Sequence, residues 1–125
     1  MNDRFKFRVW DKGNKRYQGT QDWQPYLDTD GDVCFINTDD VRNYPPENYF
    51  IVEQCTGLKD NCGNLIYEGD IIGDGEDDYV IKWDSNRTMF VAEDVDTSYE
   101  IEDVLDPTIC VIGNVHEQAE QKDVK

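Results

Sequence analysis

The chain has 125 residues and a net charge of −16, with 28 acidic and 12 basic side chains. This length suits one domain, and a 38% hydrophobic content can supply a folded core. Residues 1–16 carry six bases and two acids, a net +4, so residues 17–125 carry −20. A field this negative opposes binding to nucleic acid and to anionic lipid and favours basic protein partners.

The compartment expected from the sequence is the cytoplasm. No apolar run has membrane-spanning length, and the first residues lack the apolar region of a secretion signal. The four cysteines lack the paired spacing of a metal site, so we expect free, structural thiols without metal or cofactor: Cys34, Cys55, Cys62 and Cys110.

Period-2 alternation in residues 5–10 predicts the first strand. Phe5, Phe7 and Val9 would then face the core. The predicted solvent face of the strand consists of Lys6, Arg8 and Trp10.

An aspartate series at residues 28–32 allows two interpretations. Asp28, Asp30 and Asp32, with Asp39, have the spacing of an EF-hand calcium loop. Val33 stands where that loop needs glycine, and the flanking residues do not predict helices. The alternative is a hairpin with Asp30 at its tip, which we prefer.

Residues 49–72 are predicted to be the architectural centre of a β-rich domain. An apolar strand over 49–55 leads to a turn at residues 60–63, where Gly63 permits positive φ. A second turn at residues 68–70 precedes Ile71, and the acidic residues 73–78 are predicted to be a solvated loop.

The remaining elements are also predicted to be β-structure. Residues 79–83 and 88–92 form a hairpin, residues 93–106 offer a weak strand or a single helical turn, and residues 108–115 form a last strand with a bulge at Gly113. His116 is predicted to be a partly exposed side chain at a strand end rather than a catalytic base. The predicted core comprises Phe5, Phe7, Val9, Ile51, Leu58, Ile66, Ile71, Val80, Phe90, Val111 and Val115.

Three motifs together resemble the YopX-like family of phage and prophage proteins. They are residues 6–11 (KFRVWD), residues 54–71 with QCTGLKD and IYEGDI, and residues 111–117 (VIGNVHE). The resemblance implies an all-β fold of coiled β-sheets containing an SH3-like barrel, encoded by a phage or prophage and acting in the bacterial host. It implies no activity. The chain departs from the family pattern at Tyr17, where a Met is usual, and after Glu117, where an apolar ending is missing.

We therefore expect a single β domain over residues 1–117, with a flexible tail over residues 118–125. The preferred function is a non-catalytic protein-interaction module without catalytic, cofactor or metal residues. The sequence does not identify its partner, and the negative charge favours a basic one. Self-association through the basic first strand is a further expectation. Two alternatives stay open: an acidic decoy that imitates nucleic acid, and a metal-dependent hydrolase using Asp28, Asp30 and Asp32.

Overall fold

The structure is a computed structural model that describes residues 6–17, 24–27, 30, 32–36, 42–43 and 50–117. Its chain packs as two compact units. The N-terminal unit is Phe7–Glu53, and the C-terminal unit is Gln54–Lys125 together with Met1–Lys6. The prediction of one domain over residues 1–117 stays a prediction, and the predicted tail lies outside the described residues.

The secondary structure is almost entirely β, as predicted. The described elements are β1 (Phe7–Asp11), β2 (Arg16–Tyr17), β3 (Gln24–Leu27), β4 (Val33–Ile36), β5 (Arg42–Asn43), β6 (Phe50–Lys59), β7 (Leu65–Tyr67), β8 (Asp70–Gly73), β9 (Asp78–Asp84), β10 (Met89–Glu93), β11 (Ser98–Glu100), α1 (Ile101–Val104) and β12 (Cys110–Asn114). No helix among the described residues is long and apolar enough to cross a membrane.

The N-terminal unit contains two small sheets. In one, β2, β1 and the start of β6 lie side by side; in the other, β3, β4 and β5 do. The antiparallel pairing of β3 with β4 agrees with the predicted hairpin around Asp30, whereas Asp28 lies outside the described residues. The rings of Phe35 and Phe50 are 4.9 Å apart, so β4 packs against the start of β6.

The N-terminal unit contains a buried carboxylate. Glu53 is 3% exposed, and its Oε1 accepts hydrogen bonds from Arg8 Nε at 2.9 Å and from the Tyr17 hydroxyl at 2.8 Å. The Arg8 guanidinium also lies 4.3 Å from the centre of the Tyr17 ring. A buried charge needs such partners, since its lost hydration is otherwise uncompensated.

The predicted solvent face of the first strand is wrong for two of its three residues. The Arg8 side chain is 20% exposed because it pairs with Glu53. Trp10 is 7% exposed, and its ring meets that of Tyr17 edge to face at 4.9 Å. Self-association through this strand would therefore have to proceed without two of the three side chains that were expected to carry it, which leaves exposed Lys6.

The C-terminal unit is built on a five-stranded sheet. Its strand order is β11-β10-β9-β8-β12, with every neighbouring pair antiparallel. The unit also contains the hairpin formed by the end of β6 with β7. The register of β12 on β8 shifts between Val111 and Gly113, which confirms the predicted bulge.

The core of this unit is aliphatic. Its buried members are Ile66, Ile72, Ile81, Ala92, Ile101 and Ile109. Of the residues predicted from sequence, Val9, Ile66 and Ile71 are buried; Leu58, Phe90 and Val111 pack on the core while partly exposed. Phe7, Ile51, Val80 and Val115 are also partly buried, and Phe5 lies outside the described residues.

Both predicted turns of the central segment are present. Gly63 has φ +87° and Gly69 has φ +88°, a region that glycine enters without steric cost. The Gly69 N–H donates to the Ile81 carbonyl at 2.8 Å, and its carbonyl accepts from Val115 N–H at 2.9 Å. The second turn thus joins β9 to the end of β12.

Replacing Arg8 with alanine should lower the free energy of unfolding by about 3 kcal/mol, because the buried Glu53 carboxylate would lose the charge and the hydrogen bond of Arg8. Urea denaturation measures this. The matched control is Lys82→Ala, which removes the cation of the Lys82–Glu93 pair, whose side chains are 54% and 41% exposed, and should cost less than about 1 kcal/mol. Equal losses in both variants would show that Glu53 does not depend on Arg8.

Candidate functional site

Aspartate side chains organise many of the turns in the described residues. In each of five turns one side-chain oxygen accepts the N–H groups of the second and third residues that follow. The acceptors are Asp11, Asp74, Asp84, Asp94 and Asn114. These are Asx turns, in which a short side chain replaces the backbone as acceptor. Part of the acidity is therefore architectural.

Asp60 accepts N–H groups both from its own turn and from a strand that is distant in sequence. It is 6% exposed. Its Oδ1 accepts N–H groups of Cys62 at 2.9 Å and Asn64 at 2.8 Å. Its Oδ2 accepts Val111 N–H at 2.8 Å and the Asn64 side-chain amide at 3.3 Å. One carboxylate thus holds the β6–β7 turn against β12.

These hydrogen bonds decide the charge state of Asp60. Burial by itself raises its pKa, but the hydrogen bonds from Val111, Asn64 and Cys62 together outweigh burial, and the pKa lies below the ordinary value of 3.8. An ionised carboxylate is the form that accepts four hydrogen bonds, so the folded state stabilises the anion.

A disulfide lies beside Asp60. Cys62 and Cys110 are bonded, with their Cα atoms 6.2 Å apart and a sequence separation of 48. The prediction of four free thiols is therefore wrong for this pair, because the fold brings together two segments that sequence spacing separates. Cys34 and Cys55 are free and buried, as predicted. A loop of this length corresponds to roughly 4 kcal/mol in the chain-entropy model of disulfide stabilisation.

Asp60, Cys62 and Cys110 also form a group of potential metal ligands, with one donor atom of each within 4.8 Å of the others. The geometry does not favour a metal. Both Asp60 oxygens already accept two hydrogen bonds each, and a disulfide lacks the thiolates that a metal requires. The group is better described as a structural link.

Replacing Asp60 with asparagine should cost about 1–3 kcal/mol of folding stability, because an NH₂ group replaces one acceptor oxygen and leaves a buried N–H without a partner. The substitution should also flatten the pH dependence of stability. The pKa of Asp60 in the folded state is below the ordinary value of 3.8. Its ionised carboxylate therefore contributes folding stability above the pKa of the unfolded state, and this stability is lost as the pH falls through the folded-state pKa.

Urea titrations between pH 7 and pH 3 measure both effects. The control is Asp103→Asn, at an exposed position on α1, which should change stability by less than about 0.5 kcal/mol. A pH dependence identical in wild type and Asp60→Asn would contradict the role assigned to this carboxylate.

A groove opens on the C-terminal unit, with a volume of about 250 Å³. We call it the β6–α1 groove. Its apolar residues are Leu58, Met89, Phe90 and Ile101, and its polar residues are Thr56, Glu100 and Glu102. Phe90 also meets Trp83, its neighbour across the β9–β10 pair, with ring centres 5.0 Å apart. Trp83 is 47% exposed, so an aromatic surface adjoins the groove.

The loops before β9 and after β10 form a second concave surface of about 270 Å³, lined by Glu76, Asp77, Asp78, Tyr79, Asp94, Val95 and Asp96. Burial raises the pKa of Tyr79, and the negative charge of Asp77 raises it further. Hydrogen bonds from the backbone of Asp77 and Glu76 lower the pKa of neighbouring Asp74. Of the acids that line this surface, Asp78 and Asp94 accept N–H groups of their own turns. We assign no ligand to this surface.

The structure describes two of the four aspartates in the calcium-loop alternative. Asp30 and Asp32 are exposed, while Asp28 and Asp39 lie outside the described residues. The grouping of potential metal ligands found in the described part of the chain contains neither Asp30 nor Asp32. His116 is partly buried in the helical turn that follows β12.

The fold and these surfaces define an all-β protein whose buried acids serve its architecture. A family model described as "YopX protein" matches residues 6–121. The chain belongs to the YopX family.

Two solved structures support the fold. Protein EF1440 from Enterococcus faecalis is 23% identical, with a TM-score of 0.63, and the match covers 93% of this chain and 96% of that one. Protein yopX from Bacillus subtilis is 22% identical, with a TM-score of 0.57, covering 96% and 98%. No match was found among curated proteins.

Sequence reasoning missed the main features of this region. The signal for Asp60 was present, because an aspartate opening a turn that contains glycine commonly accepts turn N–H groups. The hydrogen bond that Asp60 accepts from Val111, 51 positions later, could not be predicted from the neighbouring sequence. The Cys62–Cys110 pair had none either, since Cys110 stands in an apolar run typical of a core cysteine.

Proposed function

We propose that this protein is a phage- or prophage-encoded, cytoplasmic, non-catalytic interaction module. Its partner is a protein segment that combines apolar and basic side chains and occupies the β6–α1 groove. The observation that carries the proposal is the composition of this groove, an apolar floor bordered by Glu100 and Glu102. Direct binding to nucleic acid or membrane is not part of the proposal.

The groove suits an extended peptide. Leu58, Met89 and Phe90 are all partly exposed, so covering them would remove apolar surface from water. Exposed Trp83 beside Phe90 adds an aromatic contact of the kind enriched where interfaces are strongest.

The charges around the groove favour a basic partner. Residues 68–106 contain fourteen acids and two bases. Both bases are already paired, Lys82 with Glu93 at 3.0 Å and Arg87 with Asp84 at 3.6 Å. Glu100 and Glu102 are exposed, so a cationic side chain meets an unbalanced negative rim, which increases the association rate and the specificity of docking.

The buried acids support a non-catalytic role. Asp11, Asp60 and Asp70 accept backbone N–H groups, and Glu53 pairs with Arg8 and Tyr17. Each carboxylate has a structural partner, whereas a general acid or base must reach a substrate.

As part of this proposal, the C-terminal unit is an SH3-like barrel. Support comes from its antiparallel strands, the β6–β7 hairpin and the return of β12 to β8. Small β-barrels are closed by bulges and tight turns, which leave grooves between loops and strands on the surface. Small β-domains bind peptides in such grooves.

The proposal is tested with synthetic hexapeptides that alternate lysine with leucine or phenylalanine. The basic peptides should bind, and Trp83 fluorescence should change on binding. Reversing two charges, Glu100→Lys with Glu102→Lys, should weaken binding about tenfold, the equivalent of losing two exposed ion pairs.

Two controls make the result specific. Peptides with glutamate in place of lysine should not bind. The double variant Asp77→Lys with Asp96→Lys, which changes the net charge equally but lies in the second concave surface, should leave affinity within about twofold, as expected for distant exposed charges screened by salt. Equal weakening by both double variants would refute the groove as the binding site.

A further inference from the structure

Three links tie the β6–β7 turn to the segment after α1. Asp60 accepts Val111 N–H at 2.8 Å. The Asn61 side-chain amide donates to the Asp106 carbonyl at 2.5 Å. Cys62 is bonded to Cys110. We call this set of three links the 60–111 clasp.

The clasp joins the two walls of the β6–α1 groove. Thr56 and Leu58 lie on β6, which runs directly into the turn at residues 60–63. Ile101 and Glu102 lie on α1, which is followed by the segment that holds Asp106. Each wall therefore ends at one side of the clasp.

We propose that Cys62 and Cys110 form a reversible thiol–disulfide site, and that its redox state regulates binding in the β6–α1 groove. The regulatory part rests on the proposed function, whereas the redox chemistry does not. When the disulfide is closed, it fixes the spacing of the two walls. When it opens, the clasp retains only the hydrogen bonds of Asp60 and Asn61.

The chemistry requires a thiol reductant and a disulfide oxidant. In reduction, the thiolate of a small thiol attacks Sγ of Cys62, and the Cys110 thiolate leaves and takes up a proton. A second thiolate attacks the small-molecule sulfur of the mixed disulfide and releases Cys62. Two electrons enter the protein and one small-molecule disulfide forms; a small disulfide such as oxidised glutathione reverses the reaction.

The surroundings of Cys62 and Cys110 favour reversible reduction of their disulfide. Cys62 is exposed and Cys110 partly buried, so a small thiol reaches the bond, and exposed disulfides are the more readily reduced class. Asp60 and Asn61 make their hydrogen bonds without the sulfurs, so the two cysteines stay close after reduction. Cys34 and Cys55 are both buried and out of reach.

The test uses the full chain in native buffer at a series of ratios of reduced to oxidised glutathione. Exposed thiols are alkylated with N-ethylmaleimide, and labelled cysteines are identified by mass spectrometry. We expect Cys62 and Cys110 to gain label together as the buffer becomes reducing and to lose it together on reoxidation. A pair that stays closed in reducing buffer, or stays open in oxidised glutathione, would overturn the proposal.

Two further measurements distinguish a redox pair from a metal site and test its link to the groove. Stoichiometric zinc in the reduced protein would mean a metal site with Asp60 instead of a redox pair. Native-state hydrogen exchange should become faster at Val111 and along α1 on reduction, and unchanged exchange would exclude an effect on the groove wall.

The variant Cys62→Ser should behave like the reduced protein, while Cys34→Ala should retain the wild-type redox response.

Regulation is measured with the lysine–leucine hexapeptides. Reduction should weaken binding by about fivefold, the low end of typical coupling between sites, and Cys62→Ser should bind equally weakly with or without reductant. Equal affinity in both redox states would overturn the regulation. If no basic peptide binds in either state, the proposed function fails, while the alkylation result still decides the redox site.

Discussion

The structure of the C-terminal unit depends on one carboxylate that receives backbone N–H groups from two distant parts of the chain. Asp60 orders its own turn through Cys62 and Asn64 and holds β12 through Val111. A carboxylate is the side chain with enough acceptor positions for this task, and burying it becomes tolerable because those positions are filled. With Asp60 in place, the neighbouring Asn61 and Cys62 meet their partners on the returning segment.

The same chemistry changes the meaning of the acidic composition. Four aspartates at turn starts accept the N–H groups that follow them, so their position is dictated by turn geometry. A nucleic-acid mimic would instead need carboxylates placed by the spacing of phosphates. The acids of this chain thus have two effects at once: they build turns, and they leave the negative field on which the proposed preference for a basic partner rests. This argues against the decoy alternative more than against an interaction module.

Local pattern was enough to predict strands near residues 5–10, 49–55 and 108–115, the β9–β10 hairpin, the positive φ of Gly63 and the bulge at Gly113, because alternation and turn chemistry act over a few residues. It was not enough for contacts between distant residues. The burial of Arg8 follows from Glu53, 45 positions later. Residues 93–106 were ambiguous because a short strand and a four-residue helix are both weak local states. The β6–α1 groove combines residues from four elements, so the sequence pattern within any one element could not predict it.

The wall formed by α1 is the part of the groove least able to hold its own position. A helix of four residues cannot be stable alone, since nucleation costs more than its few hydrogen bonds return, and α1 has no side-chain cap at its start. Its order comes from Ile101, which is 3% exposed in the core, and from the clasp beyond its end. Segments with few internal contacts open at low free energy. A covalent link that forms and breaks next to such a segment therefore has more influence on the groove than the same link between two central strands of the sheet.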